Sequence, residues 1–201
     1  MSLTVDYYLA PQSPWTYLGH ARFLRMAAEA GARVNLKVVD LGKVFPVSGG
    51  LPLGQRAPQR QAYRLAELAR WRDALGLPLN LQPKFFPVPG GAAARLIVGV
   101  DEADGTDAAL ALAGRVLAAV WAQERNISDP ATLAELLAES GLPTSRLAES
   151  EGLQAVCDAH TQSAIDAGVF GAPSYVIDGE IYWGQDRLDF VQRRLQAAHR
   201  A

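Results

Sequence analysis

The stretch LTVDYYLAPQSPWTYLGHARFLRMAAEAGARVNLKVV, residues 3–39, has the pattern of a strand, a helix and a second strand. Residues 3–9 are rich in β-branched and aromatic side chains, which predicts a buried strand. Ser13-Pro14 has the composition of an N-cap followed by proline at the first helical position. The helix that begins there is expected to end before Gly31. Residues 34–39 predict the second strand. Short connections make this a βαβ unit, which implies that the two strands are parallel.

The middle of the chain is predicted to be almost entirely helical. Apolar side chains recur at helical spacing from Tyr63 to Leu75 and stop before Gly76. Further helices are expected over residues 92–101, 106–125 and 150–167, with another that begins at Asp129-Pro130. The proline, glycine and serine content of residues 45–54 instead predicts an irregular connection.

The last segment returns to strand patterns. Residues 174–177 and 180–183 flank Asp178-Gly179, which is a favoured dipeptide for a two-residue hairpin turn. Asp186 is a plausible N-cap for a final helix over residues 187–198. The order of predicted strands and helices is that of an α/β, thioredoxin-like fold with an inserted all-helical domain. The thioredoxin-like domain is expected at residues 1–45 and 169–201, and the helical insertion at residues 46–168.

Composition excludes several classes of function. The 201 residues carry 19 Lys and Arg against 21 Asp and Glu, a formal net charge of −2, so no basic excess favours nucleic acid as a partner. Cys157 is the only cysteine, which excludes an internal disulfide, a CxxC redox site and a multi-cysteine zinc site, and we predict no metal centre. Arg95 and Arg115 interrupt the longest apolar runs, so no membrane segment is expected. The N-terminus lacks an export pattern, which predicts a cytoplasmic protein.

The first candidate site is Ser13-Pro14-Trp15-Thr16, between the first strand and the first helix. Ligands bind at such a position in open α/β sheets. Thioredoxin-like redox enzymes hold their Cys-x-x-Cys here, so serine and threonine at these two positions make dithiol chemistry impossible. A hydroxyl contributes roughly 1.5–3 kcal/mol to a charged partner and a helix N-terminus about 0.3–1 kcal/mol. Together they would lower the pKa of a bound thiol from near 8.5 by roughly two units. The alternative is that Ser13 is only an N-cap.

Two further segments precede and follow the predicted hairpin. A proline such as Pro173, between glycine-bearing turn residues and a strand, is often cis, which leaves the backbone of Ala172 available to an extended peptide. The alternative is a rigid turn without a ligand. Backbone N–H groups of Gly184 and Gln185 would suit a carboxylate, and Asp186 would suit an ammonium group. The two charges are those of an amino-acid head group, although Asp186 alone is also explained as a helix cap.

Taken together, these motifs resemble the family of 2-hydroxychromene-2-carboxylate isomerases and kappa-class glutathione transferases. The resemblance rests on residues 6–19, on residues 70–79 and on residues 168–188. It implies a dimeric, thioredoxin-like enzyme that uses glutathione. By the same resemblance, Ser13 contacts the glutathione sulfur, Ala172-Pro173 pairs with the cysteinyl backbone, and the segment Gly184-Gln185-Asp186 receives the γ-glutamyl end.

The resemblance also implies a reaction and a substrate class. In the isomerase, glutathione adds reversibly to the conjugated pyruvate side chain of an aromatic or unsaturated acid and is then expelled, so that it acts as a cofactor. A carboxylate substrate calls for a cation, and Lys43 and Lys84 lie in loop regions that face such a site. The alternative is that both are solvated surface lysines. Residues 55–72 are locally basic, and we interpret them as a solvated helix face rather than an anion funnel.

Two other functions stay open at this stage. The first is a kappa-like glutathione transferase or peroxidase activity on the same scaffold. The second is a non-catalytic, thioredoxin-like module that binds extended peptides along the Pro173 edge. His20, His160 and His199 lie in predicted helices without a partner motif, so no role is assigned to them.

Overall fold

The computed structural model describes residues 3–199, except for the side chains of residues 198 and 199. Its elements are β1 (Thr4–Leu9), α1 (Pro14–Glu29), β2 (Arg33–Val38), α2 (Leu41–Ser48), α3 (Pro58–Leu75), α4 (Gly91–Asp104), α5 (Thr106–Trp121), α6 (Pro130–Glu139), α7 (Arg146–Glu149), α8 (Gln154–Asp166), β3 (Ser174–Ile177), β4 (Glu180–Trp183) and α9 (Leu188–His199). Short 3-10 turns occupy Leu53–Gln55 and Gln185–Arg187. The predicted order of strands around a helical middle is therefore confirmed, whereas α2 and α7 were not predicted.

A four-stranded mixed sheet in the order β2-β1-β3-β4 forms the centre of the fold. Strand β1 is parallel to β2 and antiparallel to β3, with Tyr7 opposite both Leu36 and Tyr175. The β3–β4 hairpin turns at Asp178 and Gly179, which both have positive φ values of 50° and 82°. Positive φ at both central residues is the geometry that an Asp-Gly hairpin favours, so the predicted turn is confirmed.

Both faces of β1 are buried. Val5, Tyr7 and Leu9 point into the larger core, whereas Tyr8 and Ala10 point into a smaller apolar cluster on the opposite face. This alternation follows from the two-residue period of a strand. The carboxyl end of β1 therefore leads directly from the core to the start of α1, where Ser13 lies.

The inserted helices follow the predictions except at their ends. Helix α3 ends at Gly76, whose φ of 62° suits glycine in a helix C-cap. The predicted irregular segment at residues 45–54 is wrong in its first half, because α2 extends through Pro46 to Ser48 after Asp40 caps Gly42. One proline removes a single intrahelical hydrogen bond and did not end this short helix.

Two further predicted boundaries change. The helix expected over residues 150–167 begins only at Gln154, because the Ser150 N–H bonds back to the Arg146 carbonyl and closes α7. The expected thioredoxin-like domain and helical insertion contribute residues to one shared core cluster. Of the expected thioredoxin-like range, residues 1–2 and 200–201 lie outside the described residues. None of the helices within residues 3–199 has both the length and the apolar character that a membrane crossing requires.

Candidate active site

Ser13 lies at the N-terminus of α1 and is nearly fully buried. Its Oγ accepts a hydrogen bond from the Thr16 N–H at 3.2 Å and donates one to the Ala172 carbonyl at 3.3 Å. The predicted N-cap is therefore confirmed, and the same hydroxyl also reaches the loop before β3. Within the described chain, no group accepts a hydrogen bond from the neighbouring Trp15 N–H. Two donors, a hydroxyl and a backbone N–H, are thus adjacent at a helix start, where negative charge is favoured.

The Ala172-Pro173 peptide bond is cis, as the sequence predicts. The Ala172 carbonyl accepts from Ser13, and the Pro173 carbonyl accepts from the Gly184 N–H at 2.9 Å. These two bonds bring together the three segments that the sequence singles out. The N–H of Ala172, a buried residue, has no acceptor in residues 3–199. An extended ligand backbone would supply the missing acceptor.

Gly184 and Asp186 form a tight turn at the end of β4. Gly184 has a φ of 101°, and a Cβ atom on it would lie 2.4 Å from Asp186 Oδ1. Glycine is therefore required for the position of the Asp186 carboxylate. That carboxylate is exposed and pairs with Arg187 at 2.7 Å, which leaves it reachable by an ammonium group. The predicted capping role is wrong, because Asp186 lies inside a 3-10 turn that precedes α9.

Gln185 is buried and fixed against α1. Its Oε1 accepts a hydrogen bond from Arg22 at 2.9 Å, and a Cβ atom on Gly19 would lie 2.7 Å from Gln185 Cβ. The side chain thus holds the turn against the helix that carries Ser13. The Gln185 side-chain oxygen is already paired with Arg22, which leaves the backbone groups of the turn and the Asp186 carboxylate for other partners.

The two predicted substrate lysines lie on the surface. Lys43 forms an exposed ion pair with Asp158 at 2.8 Å, and this hydrogen bond raises the pKa of the Lys43 ammonium group. Lys84 is exposed, with its Nζ 5.1 Å from the centre of the Phe85 ring. Neither contacts Ser13, Ala172 or Asp186 in the described structure. No cluster of three or more His, Cys, Asp or Glu side chains suited to a metal ion occurs in residues 3–199.

Cys157 is buried in α8, as its apolar neighbours predict. Burial raises the pKa of its thiol to about 11. The thiolate is the nucleophilic form, so this cysteine is unreactive at neutral pH in the folded chain. It cannot supply a reactive sulfur to the Ser13 site.

The sequence did not reveal two buried polar side chains, one on the helix that Ser13 caps and one on α3. His20, on α1, bonds the Tyr7 hydroxyl through Nδ1 at 3.0 Å and the Leu110 carbonyl through Nε2 at 2.9 Å. Arg64, on α3, is only 9% exposed and lies among aromatic rings. Helical spacing places residues on one face, but it does not tell which face will be covered.

An exposed aromatic pair, Phe170 and Trp183, borders the turn before Ala172. Their rings meet edge to face with centres 4.7 Å apart, and 41% and 51% of the two residues remain exposed. A Cβ atom on Gly171 would lie 2.4 Å from Trp183 Nε1, so the indole covers this turn closely. The hairpin pattern predicted strands here and gave no indication of the pair.

The sheet order, the helical insertion and the serine at the first helix start define a thioredoxin-like protein without the redox cysteines. The chain belongs to the DsbA-like thioredoxin domain family, whose model matches residues 4–196. A solved 2-hydroxychromene-2-carboxylate isomerase superimposes with a TM-score of 0.79 and 25% identity, covering 98% of this chain and 96% of that one. The α/β fold with a helical insertion is thereby confirmed.

Curated relatives carry the same enzyme name. The 2-hydroxychromene-2-carboxylate isomerase of Sphingobium xenophagum is 27% identical over 200 residues, which cover 97% of this chain and 99% of the relative. That of Pseudomonas putida is 27% identical over 194 residues, which cover 94% and 93%. The cytosolic disulfide reductase DsbM of Pseudomonas aeruginosa, solved with GSH, shares the fold at a TM-score of 0.72 and 20% identity, covering 99% of this chain and 100% of that one. The chain is an enzyme, and its predicted family resemblance is confirmed.

Proposed function

We propose that this chain is a glutathione-dependent isomerase that acts on an unsaturated aromatic acid of the 2-hydroxychromene-2-carboxylate type. The observation that carries the proposal is the contact of the Ser13 hydroxyl, at the N-terminus of α1, with the Ala172 carbonyl. It places a proton donor beside an unpaired backbone N–H. The name shared by the curated relatives supports the substrate class.

The residues of the site fit glutathione in three respects. The unpaired Ala172 N–H would bond a backbone carbonyl of the tripeptide, and the exposed Asp186 carboxylate would bond its ammonium group. The Trp15 N–H and the Ser13 hydroxyl would face the sulfur. When bound, glutathione supplies a thiolate that adds reversibly to a conjugated double bond, allows rotation about the resulting single bond, and is then expelled.

Ser13 has two tasks that use different parts of its hydroxyl group. Its oxygen keeps the bond from the Thr16 N–H, which fixes the side chain as the helix cap. Its proton rests on the Ala172 carbonyl at 3.3 Å, which is long for a hydroxyl donor. Because a hydroxyl rotates freely, turning this proton from a weak carbonyl bond to a thiolate exchanges a neutral acceptor for a stronger, charged one.

Titration of the bound thiol tests the proposal. Replacing Ser13 with Ala or Gly removes the proton donor, and we expect the pKa of bound glutathione to rise by about 1–2 units. The pKa of the bound thiol is measured from thiolate absorbance near 240 nm, followed against pH with saturating glutathione. The titration must resolve a shift of ~1 pKa unit. Ser140→Ala is the matched control, because the Ser140 hydroxyl bonds the Leu136 carbonyl at the end of α6 and belongs to a different helix.

The two Ser13 variants also separate thiolate binding from helix capping. Glycine is a tolerable N-cap that costs only a few tenths of a kcal/mol, whereas alanine costs about 1 kcal/mol. Equal rises in thiol pKa with unequal losses of stability would support the proposal. Absence of glutathione binding to the unaltered protein at millimolar concentration, by calorimetry, would overturn it.

A further inference from the structure

Arg64 is a buried cation without a counter-charge. Its side chain projects from α3, it is only 9% exposed, and no carboxylate or carbonyl among residues 3–199 pairs with it. The guanidinium nitrogens are not among the fully buried unpaired atoms of the described chain, so they reach solvent although most of the side chain is covered. A guanidinium in this state is suited to an anion that comes from outside the chain.

Two aromatic rings form the surroundings of Arg64. The guanidinium carbon lies 5.2 Å from the centre of the Phe86 ring and 5.6 Å from that of Trp121. These rings contact each other, with centres 4.7 Å apart. Cation–π contacts hold the cation in place but satisfy none of its N–H groups. The planar fork of donors therefore stays available for a carboxylate, which it can bind through two parallel hydrogen bonds.

Neighbouring arginines increase the positive potential. Burial lowers the pKa of the Arg64 guanidinium to about 10, and the nearby Arg56 adds to the lowering. Burial and the adjacent Arg60 likewise lower the pKa of Arg56. Like charges that depress each other's pKa are stabilised when an anion binds between them. Residues 55–72, interpreted from sequence as a solvated helix face, thus contain a buried cation.

Arg64 is linked to the serine site by two contacts. Trp121, which underlies the guanidinium, donates its indole N–H to the Gln12 carbonyl at 3.2 Å. Gln12 directly precedes Ser13 in the chain. Trp121 therefore contacts both the Arg64 guanidinium and the segment that leads into Ser13.

We propose that Arg64 binds the carboxylate of an unsaturated aromatic acid whose double bond faces Ser13. This inference rests on the proposed function and assigns the recognition of the acid to a residue other than Lys43 or Lys84. Arg64 is a substrate-binding residue, with Arg56 as a supporting charge. Its role is to hold the acid beside the serine and to reject neutral analogues.

Binding of cinnamate, an unsaturated aromatic acid, against its neutral amide cinnamamide tests the proposal by calorimetry. The unaltered protein should prefer cinnamate, and Arg64→Leu should weaken cinnamate binding by about 10- to 100-fold while leaving cinnamamide binding unchanged. Arg64→Lys keeps the charge without the planar fork and should give an intermediate loss. Arg72→Leu, on the same helix but paired with Asp73, is the matched control and should bind as the unaltered protein does.

Glutathione titration of the same proteins separates the two proposals. Glutathione binding should be unchanged in Arg64→Leu, because the side chain does not contact Ser13, Ala172 or Asp186. A protein that binds glutathione but binds cinnamate equally well with and without Arg64, or not at all, would overturn the Arg64 assignment alone. A protein that binds cinnamate through Arg64 but binds no glutathione would overturn the proposed function and leave the anion site standing.

Discussion

His20 and Arg64 are both buried side chains that carry nitrogen atoms, but their hydrogen bonding is opposite. Each ring nitrogen of His20 has a partner within the protein, Tyr7 on one side and Leu110 on the other. Arg64 has aromatic neighbours and no hydrogen-bond acceptor among residues 3–199. A satisfied buried polar group stabilises a fold, whereas an unsatisfied one lowers stability and is expected where a ligand completes it.

Burial keeps His20 neutral by lowering its pKa, and its hydrogen bonds fix the tautomer of the neutral ring. A carbonyl can only accept, so Nε2 carries the proton that bonds Leu110, and Nδ1 accepts from the Tyr7 hydroxyl. Gly114 on α5 makes room for the ring, because a Cβ atom there would lie 3.2 Å from His20 Cδ2. The neutral imidazole thus joins β1, α1 and α5 through one side chain.

The largest effect that we expect in this comparison is a loss of stability in His20→Ala. The substitution leaves a cavity and strands the Tyr7 hydroxyl, so the free energy of unfolding should fall by about 3 kcal/mol. Urea denaturation measures this fall. Tyr7→Phe, which removes only the hydroxyl, is the control and should lose about 1 kcal/mol. A loss below that of Tyr7→Phe would contradict the structural role of His20.

A second prediction concerns acid. Burial lowers the pKa of His20 below its ordinary value of 6.5, so the unfolded chain takes up a proton before the folded one does. Stability should therefore be complete above about pH 6.5 and fall below it by at most about 1.4 kcal/mol per pH unit for this group. Denaturation between pH 7.5 and 5.5 should show a shallower slope in His20→Gln. His160, whose pKa burial also lowers, would supply the remaining slope.

The smallest effect on stability should come from Arg64→Leu. Replacing a buried, unpaired charge with an apolar side chain is often neutral or stabilising, so the free energy of unfolding should change by less than about 1 kcal/mol or rise. Thermal denaturation without ligand measures this change in stability, with Arg72→Leu as the surface reference. A loss comparable to that of His20→Ala would mean that Arg64 is part of the scaffold, and the contrast between the two residues would disappear.

Local sequence predicted much of the candidate site. The N-cap at Ser13, the cis bond before Pro173 and the Asp178-Gly179 turn each depend on two or three adjacent residues, and all three are confirmed. The burial of His20 and Arg64 was not predictable in the same way. It depends on Leu110 and on Trp121, which reach these helices only after the insertion has folded back. No local pattern in α1 or α3 reports on those distant partners.

The position of β1 between β2 and β3 has a consequence for synthesis on the ribosome. Strand β2 follows β1 closely, but β3 begins at Ser174, after the whole insertion has been made. At about 5–20 residues per second, one edge of β1 stays unpaired for on the order of ten seconds. Unpaired apolar strand edges promote aggregation. The nascent chain is therefore most vulnerable until β3 has been made, and only then can Ser13 contact Ala172, 159 residues away.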